Sequence, residues 1–291
     1  MTKSRFTDQV AQRLDGLRPA EQRVARFLAD NREEALIGSA SYLAEKAGTS
    51  DATVIRAVKA LGFSGMEELR RTLAGEMRDN PSPSNRLART LNEIGDDVGA
   101  ALDVTIDIHQ QSLEQLRRDL PAETFTEVIR HIVGAQHVFI FGIGPSSAMA
   151  QYFSIQLKRF GIEARSLDHS GILLADQMLP IKKGDLLLVF AYGRIYPELT
   201  ALLDYAKTSE SSSILFSDTL GGKLRDKVDI AVAVPRGRSD LLSMHTTTLG
   251  LIEALLVGVA IKAPERAMHS LKTLNDLRAS LAGKRMDLPA A

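Results

Sequence analysis

The chain of 291 residues contains no cysteine. That excludes a disulfide framework, a thiolate metal site and a cysteine nucleophile. Net charge is absent as well, with 36 Lys plus Arg against 36 Asp plus Glu. A molecule so balanced is not a histone-like polyanion binder, although a small basic reading head on a neutral body stays compatible. Long apolar runs are also missing. The longest, at 249–261, is interrupted by Glu253 and falls short of the ~20 residues that a bilayer demands. Residues 1–8 lead into a charged stretch, so neither a secretory signal nor membrane association is expected, and a reducing, cytoplasmic location is. What remains is ordinary globular material, 44% hydrophobic and 25% charged, with length enough for two cores.

The chain divides near residue 80. Asp79-Asn80-Pro81-Ser82-Pro83-Ser84-Asn85 sets two prolines among small polar residues, a composition that favours an extended linker. Upstream the periodicity is helical. Val24, Phe27 and Leu28 follow Pro19 at i, i+3, i+4 spacing, and further helices are expected at 41–47, 50–61 and 66–77. Downstream, one helix is expected over 86–117, marked by Leu102, Ile106, Leu113 and Leu116, and another from Pro121 to Val133. Strands at 137–143, 163–167, 185–191, 213–216 and 229–234 then alternate with helices at 146–160, 197–207 and 245–261. Near-continuous apolar strands separated by helices imply a parallel sheet covered on both faces. The expected fold class is α/β. An all-α helix-turn-helix domain at 1–78 and a linker at 79–95 precede a doubly wound, five-stranded α/β domain at 96–291, with its ligand crevice at the strands' carboxyl ends.

The N-terminal motif has the parts of a reading head. One helix ends at Gly48, which suits the left-handed conformation of a tight turn, and Ser50 is a natural N-cap for the next. Val54, Val58 and Leu61 share one face of that helix, while Ala52, Thr53, Arg56 and Lys59 fall roughly opposite. Slender residues near the helix start allow close approach to a major groove, and an arginine further on can fork onto a guanine edge. Thr49, Ser50, Ala52, Thr53, Arg56 and Lys59 are therefore the candidate DNA-binding residues. The alternative is a small helical bundle with a solvated charged face, and Asp51 would repel phosphate. The run Ala47-Gly48-Thr49-Ser50, Ala52-Thr53-Val54-Ile55-Arg56 and Leu61-Gly62-Phe63-Ser64-Gly65 resembles the DNA-binding domain of RpiR/MurR-type bacterial regulators. That resemblance implies an operator of double-stranded DNA as partner.

A second motif closes a buried strand: Phe139-Ile140-Phe141-Gly142-Ile143-Gly144-Pro145-Ser146-Ser147. Glycines let backbone approach a ligand, and Ser146 and Ser147 stand at the positive end of a helix, which suits a phosphate monoester or another anion. The dinucleotide fingerprint would require glycine where Ser147 stands; Asp168, just past the next strand, is what keeps that reading open, beside a glycine turn that only packs helix on strand. This half is similar to the sugar isomerase (SIS) domain, which forms the C-terminal part of the same regulators and also occurs in sugar-phosphate isomerases. The resemblance implies a sugar phosphate gripped by two loops, the first carrying Gly142, Gly144, Ser146 and Ser147. The family's second loop is Ser-x-Ser-Gly-x-Thr, but here it reads Ala191-Tyr192-Gly193-Arg194-Ile195-Tyr196, so Arg194 and Tyr196 are the candidate anion contacts, with ordinary packing at the helix start as the alternative role for Tyr196.

Catalysis would need a base near sugar carbons, for which His169, His245 and Glu253 are the candidates; capping and surface pairing are the plainer roles for them. His245 is retained as an effector contact. No spacing suggests a metal, and no cofactor is called for. Apolar stripes on the 86–117 helix and on the C-terminal helix between Pro264 and Gly283 (Met268, Leu271, Leu274, Leu281) are either core or subunit surface. The expected whole is a non-enzymatic, DNA-binding transcription regulator of carbohydrate or related metabolism, controlled by a small anionic metabolite and working as a homodimer or homotetramer. The alternative is a SIS sugar-phosphate isomerase with an N-terminal assembly bundle.

Overall fold

The computed structural model describes residues 6–79, 83–238 and 241–282. Two compact units are present. The first holds residues up to Asn92 together with a short stretch ending at Leu242, and the second holds Glu93–Arg238 and the chain from Ser243 onward.

The described part of the first unit is helical. Its helices are α1 (Phe6–Arg13), α2 (Pro19–Asp30), α3 (Arg32–Ile37), α4 (Ala40–Lys46), α5 (Asp51–Ala60), α6 (Met66–Asp79) and most of α7 (Pro83–Ile94). Their apolar faces meet in one core around Phe6, Val24, Leu28, Leu43, Val54, Val58, Leu61, Leu69 and Leu73, all fully buried. The expected inward face of Val54, Val58 and Leu61 is thus observed. Helices α1 and α3 are short, polar pieces with no legible period in the sequence, and burial of Phe6 and Ala35 holds them.

Two glycines end the helices on either side of the turn. After α4, the Gly48 N–H donates to Glu45 O (3.2 Å) and the Thr49 N–H to Ala44 O (2.9 Å). After α5, the Gly62 N–H donates to Lys59 O (2.9 Å) and the Phe63 N–H to Val58 O (3.2 Å). Both glycines have positive φ, +61° and +96°. This pair of bonds satisfies carbonyls that a helix end would leave orphaned, and it needs a residue in the left-handed region. The Leu-Gly-Phe of the motif is therefore a helix stop: Gly62 turns the chain and Phe63 returns to the core beside Val58.

Two expectations are corrected next to this unit. Asn80, Pro81 and Ser82 of the expected linker lie outside the described residues, but Pro83 opens α7 instead of extended chain. Proline at a first helical position loses an N–H that had no helical partner anyway. The single helix expected over 86–117 is two, α7 and α8 (Ala100–Asp119), because Gly95 adopts φ +74° and breaks the ladder.

The second unit is built on β1 (Val138–Gly142), β2 (Ala164–Leu167), β3 (Leu186–Phe190), β4 (Ser212–Ser217) and β5 (Ile230–Ala233). All neighbours are parallel, in the order β2-β1-β3-β4-β5. Alternation of side chains sends Val138, Ile140, Leu186, Leu188, Phe190 and Phe216 to one face, where α8, α9 (Ala122–Gly134), α10 (Pro145–Arg159) and α14 (Thr246–Lys262) cover them. Phe139, Phe141, Leu187, Val189 and Leu215 point the other way, under α11 (Leu174–Met178), α12 (Pro197–Thr208) and α13 (Gly221–Leu224). α15 (Pro264–Ala282) follows, and Gly283, expected to end it, lies outside the described residues. The five expected strands are all found, within two residues of the expected limits. Of the expected stripes, Leu116 is buried, but Leu102 is 68%, Ile106 45%, Met268 55% and Leu281 88% exposed. Among the described residues no single helix is long and apolar enough to cross a membrane.

Gly62→Ala is expected to cost about 1–2 kcal/mol, because a Cβ at this φ meets the following carbonyl. Urea unfolding of the full chain followed by circular dichroism checks it, and an unchanged helical transition would contradict the assigned cap.

Candidate functional site

The helix expected to read DNA is α5. Ser50 Oγ accepts the Thr53 N–H (3.4 Å), which satisfies one of the free donors at the helix start. Val54, Ala57 and Val58 turn inward, while Ala52, Arg56 and Lys59 are exposed; Ser50 is exposed and Thr49 half-buried in the turn. Thr53 departs from the expected outer face. It is only 6% exposed, since it lies one turn before buried Ala57 and beside Val54. Its Oγ1 is 3.0 Å from Ser50 Oγ and accepts from Arg56 Nη2 at 2.9 Å. Thr53 thus braces the cap and the arginine.

Arg56 has a second neighbour that sequence reasoning missed. Glu21 on α2, with a side chain 11% exposed, places Oε1 3.8 Å from Arg56 Nε. The other oxygen of Glu21 accepts the Arg18 N–H at 3.1 Å, so this acid is fixed by capping its own helix. Only an acid three residues after Arg18 hints at this in the sequence. Asp51 accepts the Ser41 hydroxyl at 2.5 Å, so its charge is tied to α4.

In the second unit the strands' carboxyl ends form one rim. Gly142 pairs with Phe190, Phe190 with Phe216, and Phe216 with Val232. The strand order reverses between β1 and β3, and such a switch point leaves a crevice. Gly142 ends β1 where a Cβ would collide with the Ser146 carbonyl oxygen, so glycine is required. Gly144 follows at φ +60° and Pro145 opens α10. Ser147 donates both its hydroxyl (2.7 Å) and its N–H (3.0 Å) to Gly144 O, which braces the loop; Ser146 is buried.

The β3 loop does not bring the two expected anion contacts together. Arg194 is exposed and its N–H donates to Tyr192 O (2.8 Å), and Tyr196, 44% exposed, stands at the start of α12. The residue that turns inward is Tyr192, whose hydroxyl is 2.8 Å from Thr248 Oγ1 on α14. Around its ring gather His245, edge-on with centroids 5.6 Å apart, and Arg236, whose guanidinium carbon lies 4.1 Å from the ring centre. Asp218 completes the group, 3.1 Å from Arg236 Nη2. His245 was expected here; Asp218, Arg236 and Thr248 were not, because they come from loops and a helix start that carry no period. Burial pushes the Tyr192 phenol well above its usual range. Burial also lowers His245 to about 4; the charge of Arg236 adds to this and Asp218 opposes it.

The candidate bases are held elsewhere. His169 is exposed and 3.4 Å from Asp168, and Glu253 accepts from the Tyr152 hydroxyl at 3.5 Å. Among the described residues no group of three or more His, Cys, Asp or Glu could hold a metal ion.

A capped reading helix in one unit and an α/β rim suited to small ligands in the other define a two-part regulator class. Comparison with known proteins agrees. The helix-turn-helix domain of the rpiR family matches residues 5–80, and the SIS domain matches 131–258. The chain belongs to the RpiR family of helix-turn-helix regulators with a SIS domain. It is 30% identical over 260 residues to the bifunctional protein glk of Burkholderia orbicola, covering 88% of this chain and 39% of that protein. The chain thus spans about two fifths of the length of such relatives. It is 21% identical over 263 residues to an uncharacterized HTH-type transcriptional regulator of Caldanaerobacter subterraneus, covering 89% and 92%. Among solved structures, Vibrio vulnificus NanR complexed with ManNAc-6P shares the fold with a TM-score of 0.57 at 17% identity, covering 95% of this chain and 98% of that one. The sugar isomerase domain of an RpiR transcription factor from Sphaerobacter thermophilus gives 0.55 at 21%, covering 60% and 98%.

Because His245 titrates from 6.5 down to about 4 on folding, the unfolded chain binds its proton first as pH falls. This residue's contribution to stability is present above pH 6.5 and is lost as pH drops toward 4. Urea unfolding across that range should show a shallower pH dependence in His245→Gln, and an NMR titration should find the ring neutral at pH 5.5.

Proposed function

We propose that the chain is a DNA-binding transcriptional regulator of carbohydrate or related metabolism genes, controlled by a small anionic, sugar-phosphate-like effector. A head at 1–78 reads double-stranded operator DNA. A body at 96–291 binds the effector at the carboxyl rim of its sheet. The observation that carries this reading is the presence, on one chain, of a capped helix exposing Ala52, Arg56 and Lys59 and of a glycine-opened strand end facing a helix start. The positive end of α10 behind Gly142 and Gly144, with Ser146 and Ser147, suits an anion; His245 is a further proposed contact, and Arg194 and Tyr196, which the β3 loop leaves exposed, are proposed to meet the ligand from the solvent side. That NanR, of the same fold, was solved with ManNAc-6P makes phosphorylated sugars the first ligands to try.

The regulator acts in the cytoplasm as a homodimer or homotetramer, for which the exposed stripes of α8 and α15 offer surface. A reader of this kind uses two half-sites, so self-association belongs to the mechanism. An isomerase would need an acid and a base converging on one substrate carbon. His169 and Glu253 are instead exposed and held by Asp168 and Tyr152, which favours binding over turnover.

DNA lying next to the chain's own coding region should be bound with steep salt dependence. Lys59→Ala should weaken binding to all sequences alike, and Arg56→Ala should cost about 1–3 kcal/mol of discrimination between operator and random DNA. Fluorescence anisotropy at several salt concentrations checks this. Turnover of a sugar phosphate without operator binding would overturn the reading.

A further inference from the structure

One carboxylate in the rim serves two loops. Asp218 Oδ2 accepts from Arg236 Nη2 (3.1 Å) and Nε (3.3 Å), while Asp218 Oδ1 accepts the Gly193 N–H (3.2 Å). The turn after β4 therefore ties the β5 loop to the β3 loop. The Arg236 side chain is only 11% exposed and its guanidinium lies over the Tyr192 ring, whose hydroxyl is within hydrogen-bond distance of Thr248 Oγ1. An ion pair that was merely structural would be expected to leave its surroundings satisfied. Here His245, edge-on to the same ring, buries its Nδ1 with no hydrogen-bond partner among the described residues. A buried polar atom without a partner beside a pre-oriented guanidinium at a rim is the mark of a place that a ligand completes.

We propose that Arg236 is the receptor for an anionic group of the effector, and that Asp218 occupies it in the empty protein. A phosphate or carboxylate can present two oxygens to the guanidinium fork, where Asp218 now presents only Oδ2. On arrival it takes those donors, Asp218 leaves Arg236, and the tie to the Gly193 N–H loosens with it. His245 Nδ1 gains a polar partner beside the new ligand. A ligand that bound both arrangements equally would shift nothing, whereas exchange of partners on Arg236 makes binding depend on the state of the β3 loop.

The proposal rests on the reading of the rim as an effector pocket and adds the group that distinguishes empty from loaded. Inorganic phosphate at constant ionic strength is the probe, titrated into the full chain by calorimetry and thermal shift. Asp218→Asn keeps the side-chain shape and an acceptor for Gly193 but removes the competing charge, so phosphate should bind about tenfold tighter. Arg236→Gln should lose that gain, alone and combined with Asp218→Asn, and Arg236→Lys should recover only part of it. Phosphate binding that is equal in wild type and Asp218→Asn, or absent from Asp218→Asn, overturns the proposal even if Arg236→Gln fails to fold. Ser147→Glu separates the two readings. If it abolishes binding while Asp218→Asn and Arg236→Gln change nothing, the pocket stands and the receptor falls. If none of the three matters, both fall.

Discussion

Parallel strands must all end on the same side, and the candidate effector site depends on that constraint. Because β1, β3, β4 and β5 run together in register, the residues that follow Gly142, Phe190, Phe216 and Val232 have no choice but to crowd one rim. Tyr192 lies two residues past the end of β3, Asp218 one past the end of β4 and Arg236 three past the end of β5. Burial of the strands under helices on both faces makes the register costly to change, so the rim inherits the rigidity of two apolar layers. Loops of irregular sequence are thereby held within hydrogen-bond distance of each other.

The same logic at smaller scale builds the reading head. Gly48 and Gly62 stop two helices with the same pair of backbone bonds, so the turn between α4 and α5 and the exit from α5 are set by local chemistry. The core then only has to choose which face of α5 is hidden, and Val54, Val58 and Leu61 decide it. A nearly neutral head follows: residues 1–80 hold 13 basic and 12 acidic side chains, so general attraction to DNA is weak. Under the proposed function, selectivity rests on where Arg56 and Lys59 are placed. Glu21 and Thr53 do that for Arg56 from the protein side.

Most elements were legible because their signals are local. Continuous apolar runs such as Leu186–Phe190 and capping residues such as Ser50 report on a window of a few residues. Misreadings came where a local signal had two outcomes. Proline and serine at 81–84 suggested extended chain, yet Pro83 opens a helix; Leu102 to Leu116 suggested one helix with 86–94, yet Gly95 takes the left-handed conformation and separates them. Helical spacing alone points Thr53 outward with Arg56 and Lys59, but its hydroxyl has partners within one turn and the residue is buried. The β1 loop was legible as a ligand-suited turn, since glycine at a strand end before a helix has a restricted set of uses. The site it belongs to was legible only in part, because Asp218, Arg236 and Thr248 sit far apart in the chain and follow no period.

Sequence alone determined the class of the molecule: a helical head with a capped reading helix, a following parallel α/β body, no thiol chemistry, and the glycine-serine turn at the first strand end. Each of these follows from residue type and short-range spacing, which act before any tertiary contact forms. Tertiary structure alone decided who faces whom. It set Glu21 against Arg56, turned Tyr192 inward while leaving Arg194 and Tyr196 exposed, and joined Asp218 to Arg236 and Gly193. Those pairings depend on register between strands and on how loops from different strands close over the rim, and that is a property of the packed sheet and not of any one segment.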